Sequence, residues 1–158
     1  AMKSFPGINR RFEILGEFVI NNQKFTWVDD YGHHPTEMKE VIETISKVWK
    51  GKRLVTIFQP HRYSRTAEHF HQFVDILKNV ENLIIMDIYA ANENPIDNIS
   101  SETILQEIKK YKVNAVLINE NKELAEYLNE TIKNNDILLT IGAGNISKFV
   151  NYYKKIVT

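Results

Sequence analysis

The 158 residues, 43% hydrophobic and 25% charged, have the composition of one ordinary globular domain, large enough to bury a core without staples. Twenty basic residues balance twenty acidic ones, so no net positive field draws the chain to nucleic acid, and the lack of cysteine excludes disulfides and thiolate metal sites. No apolar run approaches the roughly 20 residues that span a bilayer. The start, Ala1 to Gly7, lacks the apolar stretch of a signal peptide, and Ala1 ahead of Met2 reads as an added residue on a piece of a longer protein.

Taken in chain order, Arg11 to Ile20 reads as a strand, Asn21-Asn22 as a turn and Lys24 to Val28 as the returning strand of a hairpin. A weak boundary lies near Phe25, and from there the pattern becomes strand, turn, helix, repeated. Thr26 to Asp30 is the first strand of that series. Thr36 is the expected N-cap of a helix whose apolar stripe is Met38, Val41, Ile42, Ile45 and Val48, with Gly51 ending it. Leu54 to Phe58 is a strand, followed by a helix over Thr66 to Lys78 with Phe70, Phe73, Val74 and Leu77 inward. Leu83 to Asp87 is the next strand, and Ser101, a candidate cap, opens a helix reaching Tyr111. Ala115 to Ile118 is a strand and Asn121 to Lys133 a helix. Ile137 to Ile141 is the last strand, and Gly142-Ala143-Gly144-Asn145 turns into a final helix carrying Ile146, Phe149, Val150 and Tyr153. Strands apolar on both faces are buried on both faces, which requires parallel strands between two helical layers. The expected fold is a doubly wound, mostly parallel, Rossmann-like α/β sheet with helices on both faces, preceded by a short β-hairpin.

Open parallel sheets bind ligands at the C-terminal ends of their strands, and the polar residues collect there. Asp29, Asp30, Tyr31, His33 and His34 follow the first strand of the series. These residues could ligate a metal, but adjacent histidines seldom face one ion. They equally suit a strand-end turn in which Asp30 caps the next helix and Pro35 starts it, or a nucleotide contact with Asp30 on a ribose hydroxyl. Arg62 and Arg65 flank Ser64 ahead of a helix, a pattern suited to a carboxylate or phosphate; two solvated arginines, paired with Glu68, are the plain alternative. Gly142-Ala143-Gly144 is half of a dinucleotide fingerprint in the wrong place, and close packing of two loops explains it better. His69 and His71 face different sides of a helix and read as non-catalytic. No P-loop and no nucleophile elbow occurs in the chain. These residues therefore describe a nucleotide- or anion-binding domain with an incomplete active site.

Five pieces of sequence carry a family resemblance: Gly7-Ile8-Asn9-Arg10-Arg11-Phe12-Glu13, Val28-Asp29-Asp30-Tyr31-Gly32-His33-His34-Pro35-Thr36-Glu37, Phe58-Gln59-Pro60-His61-Arg62-Tyr63-Ser64-Arg65-Thr66, Asp87-Ile88-Tyr89-Ala90-Ala91 and Gly142-Ala143-Gly144-Asn145-Ile146. Through them the chain resembles the UDP-N-acetylmuramate:L-alanine ligases of the Mur ligase family. The resemblance implies residues 26–158 as the C-terminal α/β domain, with residues 1–25 the hairpin remnant of a central ATP-binding domain. It implies ATP with Mg2+ as cofactor, the metal being held mainly by the central domain. L-Alanine and UDP-N-acetylmuramate are the other implied substrates, joined through an acyl phosphate in the cytoplasm. The partners are then the missing N-terminal and central domains, and the chain alone is expected to be inactive. By the same resemblance Arg11, Asp30, Tyr31 and His33 contact the nucleotide, while His61, Arg62 and Arg65 hold the amino-acid carboxylate; no catalytic or metal residue is assigned to the chain itself. Asn92 and Asn98 stand where the family often has glycine, and asparagine tolerates the positive φ such places need. A sister ligase for recycled murein peptide shares the His-His-Pro loop but usually lacks the Pro-His-Arg-Tyr-Ser-Arg pattern. Two other readings are a stand-alone regulatory module binding ATP or a dinucleotide at the glycine turn, and an interaction domain presenting its hairpin.

Overall fold

The computed structural model of the chain describes residues 11–158, so the piece Gly7 to Arg10 of the first motif lies outside the described residues. The elements run β1 (Glu13–Ile20), β2 (Gln23–Asp30), α1 (Pro35–Val48), β3 (Leu54–Phe58), α2 (Tyr63–Glu68), α3 (Phe70–Leu77), β4 (Asn82–Ile85), α4 (Ser101–Ile108), β5 (Asn114–Leu117), α5 (Asn121–Thr131), β6 (Asp136–Ile141) and α6 (Ile146–Lys154). One six-stranded sheet orders them β1-β2-β6-β3-β4-β5. Every neighbouring pair is parallel except β1 with β2. The expected doubly wound sheet is therefore present, with one antiparallel edge strand.

The hairpin forms because Asn21 and Asn22 adopt φ 48 and 63, the paired positive values of a two-residue turn that matches strand twist. It is part of the sheet rather than an appendage ahead of it. Phe25 to Asp30 pairs residue by residue with Asp136 to Ile141, so the boundary read near Phe25 falls inside β2. Trp27 and Phe25 are fully buried there and anchor the hairpin to the core.

Two apolar layers sandwich the sheet. Met38, Val41 and Ile45 of α1, Phe73, Val74 and Leu77 of α3, and Ile104 and Ile108 of α4 pack on one face. Leu124 and Leu128 of α5 with Ile146, Phe149 and Tyr153 of α6 pack on the other. Because β6 lies between β2 and β3, the turns after β2 and β3 lead to one face while the turn after β6 leads to the opposite one. That divergence makes the end of β6 the topological switch point, the place at which such sheets bind ligands.

Several element ends differ from the sequence reading. The cap of α1 is His34, whose Nδ1 accepts from Thr36 N while Glu37 reaches back to the cap amide, so Thr36 already lies in the helix. Ser100, not Ser101, caps α4, and Val48 at the end of α1 is 57% exposed. The expected helix from Thr66 to Lys78 starts earlier and is two helices meeting at His69, where φ −112 and ψ 21 interrupt it. There the His69 ring stands 4.6 Å from that of His34. Asn92 and Asn98 sit at φ 69 and 64, so both take the conformation for which glycine is otherwise used.

Candidate functional site

Asp30 ends β2 with its side chain only 4% exposed, and the chain curls around it. Phe12 N donates to Oδ2 and Gly32 N to Oδ1, each at 2.6 Å. Glycine is required at 32 because an added Cβ would approach Asp30 Oδ1 to 2.7 Å. Burial pushes the Asp30 carboxyl above its ordinary value; the two amides and the Arg11 charge hold it back, while Glu37 adds to the rise. Asp30 is thus an oriented acceptor, not the helix cap considered from sequence.

Glu37 is the residue that the sequence reading left without a role. It accepts from His33 N and His34 N at 3.2 and 3.0 Å and lies 3.5 Å from the Arg11 guanidinium. Burial alone would raise its carboxyl; the two amides, with the charges of His33 and Arg11, outweigh burial and leave it below the ordinary range. Its signal was present in the sequence, three positions after His34, but histidine is not a usual capping residue. Arg11, Phe12, Asp30 and Glu37 line one cleft of about 310 Å³ together with the start of α1.

A row of rings links the turns that follow β2, β3 and β4. Tyr31 meets His33 edge-on at 5.5 Å, His33 lies 5.8 Å from His61, and His61 stacks on Tyr89 at 5.4 Å. His33 Nδ1 donates to the Tyr31 carbonyl at 3.3 Å. Arg65 Nη1 reaches both His61 Nδ1, at 2.9 Å, and the His61 carbonyl, at 3.2 Å. A guanidinium can only donate, so His61 Nδ1 accepts and the neutral ring carries its proton on Nε2. Burial, then the charges of Arg65, His33 and Arg62, hold the His61 ring below the ordinary histidine value. Arg62 is exposed, and among the described residues no carboxylate is ion-paired with Arg62 or Arg65, which sets aside the pairing with Glu68.

The structure therefore gathers the candidates into two neighbouring groups. Arg11 and Asp30 share the cleft beside α1, while His61, Arg62 and Arg65 form a basic turn; Tyr31 and His33 stand between them. The glycine turn is closed by packing. An added Cβ at Gly144 would come 2.6 Å from Tyr89 Cβ and Cγ, and one at Gly142 would come 2.9 Å from the Gln59 carbonyl. Gln59 fills the remaining space, accepting from Ile146 N at 2.8 Å and donating to Asn145 Oδ1. Tyr89 and Gln59 thus pack directly against the two glycines of the turn.

Among the described residues no three His, Asp or Glu side chains converge to hold a metal ion. No helix among them is long and apolar enough to cross a membrane.

The family model described as Mur ligase, glutamate ligase domain, matches residues 10–144 and so includes both strands of the hairpin. A UDP-N-acetylmuramate–L-alanine ligase of Wigglesworthia glossinidia brevipalpis is 46% identical over 162 residues, which is 99% of this chain and 34% of that protein. The crystal structure of the UDP-N-acetylmuramate–alanine ligase of Thermotoga maritima matches with a TM-score of 0.69 at 23% identity, over 93% of this chain and 29% of the other. A murein peptide ligase from Psychrobacter arcticus matches with a TM-score of 0.72 at 16% identity, over 96% of this chain and 30% of the other. The chain spans about a third of the length of the curated relatives it matches.

Proposed function

Because this chain belongs to the Mur ligase family, matched over residues 10–144, we propose that it is the C-terminal domain of an ATP-dependent ligase that joins L-alanine to UDP-N-acetylmuramate. The observation that carries the reading is the 5.8 Å contact of His33 with His61. It joins an oriented carboxylate beside Arg11 to a basic turn that carries the exposed Arg62 and the Arg65 bonded to His61. One surface thereby offers a place for a nucleotide and a place for a small carboxylate.

In this reading Asp30 accepts from a ribose hydroxyl, Arg11 lies against the nucleotide near its ribose and phosphates, and Tyr31 and His33 border it. Arg62 and Arg65, with His61 Nε2–H, hold the carboxylate of L-alanine. The amine of that amino acid attacks an acyl phosphate formed on the lactyl carboxyl of the sugar nucleotide, and the tetrahedral adduct expels phosphate. The contribution of this chain is orientation and charge placement, on which such transfers largely depend. The P-loop and the groups that hold Mg2+ belong to other domains of the complete protein, so the chain alone forms no product. The cytoplasm, where ATP is available, is the proposed location.

The sister ligase for recycled peptide shares the fold, so the fold does not separate the two. The alanine reading rests instead on the Pro60-His61-Arg62-Tyr63-Ser64-Arg65 turn and on the 46% identity to a relative named for L-alanine. In the complete enzyme, Arg62→Ala is expected to raise KM for L-alanine by about tenfold or more, the worth of one charged hydrogen bond, and to leave KM for ATP little changed. Asp30→Ala is expected to do the reverse. Ligation by this chain alone, or failure of both substitutions to affect the complete enzyme, refutes the proposal.

A further inference from the structure

We propose that Glu93 is a positioning residue that holds the His61–Arg65 turn in its binding geometry. This inference rests on the functional reading above.

The turn needs external support. Arg62 adopts φ 73 without being glycine, a conformation that strains a residue with a side chain. It stands at the N-cap of α2, yet no side chain of that position caps the helix. The support comes from the segment after β4. Arg62 N donates to the Tyr89 carbonyl at 2.7 Å and Tyr89 N to the Pro60 carbonyl at 2.9 Å. The Tyr89 ring lies flat on His61, 13° from parallel. Glu93 completes the clamp: Oε1 accepts from Ser64 N at 3.0 Å and Oε2 from Ser64 Oγ at 2.5 Å. Ala91 and Asn92, at φ 51 and 69, reverse the chain so that this carboxylate faces α2. The two hydrogen bonds from Ser64, with the charge of Arg62 nearby, outweigh desolvation and hold the Glu93 carboxyl below its ordinary value.

The arrangement fixes the turn without sequestering its cations. Both Glu93 oxygens are taken by Ser64, and among the described residues neither Arg62 nor Arg65 forms an ion pair with Glu93. The Arg62 side chain stays exposed while the backbone beneath it is held. Binding then requires less ordering of the turn, which is how preorganisation raises affinity.

Two variants test this, Glu93→Ala and Glu93→Gln, since the amide keeps an acceptor for Ser64 N. In the 158-residue chain, Glu93→Ala is expected to shift the backbone amides of Arg62 to Thr66 and speed their hydrogen exchange, with Asp30 and Gly32 unmoved. In the complete ligase it is expected to raise KM for L-alanine about tenfold, with kcat and KM for ATP held within about twofold, and Glu93→Gln is expected to restore most of the loss. An unshifted Ser64 amide overturns the proposal whatever the enzyme does. Shifted amides with an unchanged KM for L-alanine overturn it as well, by separating the clamp from binding. A wild-type enzyme without L-alanine-dependent ligation overturns the functional reading instead, and with it the role given to this turn.

Discussion

Replacing Gly144 by alanine separates packing from phosphate binding at the glycine turn. The backbone of Gly144 lies outside the positive-φ region, so alanine meets no conformational bar there; its only obstacle is space. The new methyl would lie 2.6 Å from Tyr89 Cβ and Cγ and 2.8 Å from Gln59 Oε1. Tyr89 cannot yield at Cβ without moving its backbone, which is bonded to Pro60 and Arg62. Overpacking of this kind costs about 1–3 kcal/mol. Displacing Gln59 from Ile146 N costs about 1 kcal/mol more. Alanine stiffens the unfolded chain by about 0.5–1 kcal/mol in the other direction. The net loss is about 2 kcal/mol, and for a chain of this size the melting temperature falls by about 4–8 °C. Calorimetry of wild type and variant measures it, and the His61 ring shift should move as Tyr89 is displaced. An unchanged melting temperature would refute the reasoning, because it would mean that the turn has room to spare, as an open phosphate loop has.

Other consequences follow from the same contacts. Arg53 pairs with buried Asp136 through Nε and Nη2 at 3.0 and 2.6 Å, at the end of the sheet opposite the candidate site. Arg53→Ala leaves that carboxylate without its counter-ion and should lower stability by about 3 kcal/mol in urea unfolding, with no shift of the His61 turn. Thr56 Oγ1 is buried in β3 without a hydrogen-bond partner among the described residues, so Thr56→Val should raise stability by up to about 1 kcal/mol; a lower urea midpoint would show that the hydroxyl is bonded in solution. His61 should titrate below the ordinary value of 6.5, and Arg65→Ala should move it upward, both followed by its ring proton shifts. Its depressed folded value means that its contribution to stability is complete above the ordinary histidine range and is lost as pH falls through the folded value.

The apolar runs made the sheet legible, because strands buried on both faces carry an uninterrupted signal, and Leu54–Phe58 of β3 has the limits expected. The break at His69 was not legible, since Phe70, Phe73, Val74 and Leu77 keep a helical period after it and no glycine or proline marks the junction with Tyr63–Glu68. The membership of the hairpin was hidden for another reason: the pairing of Phe25 to Asp30 with Asp136 to Ile141 joins segments more than a hundred residues apart. At the site, Asp30, His61 and Arg65 stood out as polar residues at strand ends. Glu37 did not, and Glu93 stood at a strand end without a role, because each acts on a backbone amide, and a carboxylate gives no sign in sequence of which amide it will meet.

The central claim is that one face of this chain holds a nucleotide beside Asp30 and a small carboxylate at the His61–Arg65 turn. Backbone amide shifts of the isotope-labelled chain, followed through addition of Mg-ATP and then L-alanine, test it most directly. The account predicts shifts at Arg11 and Asp30 to His33 with the nucleotide, and a second set at His61 to Arg65 with the amino acid. Nucleotide shifts centred on Gly142 to Asn145, with the Asp30 corner unmoved, would contradict it.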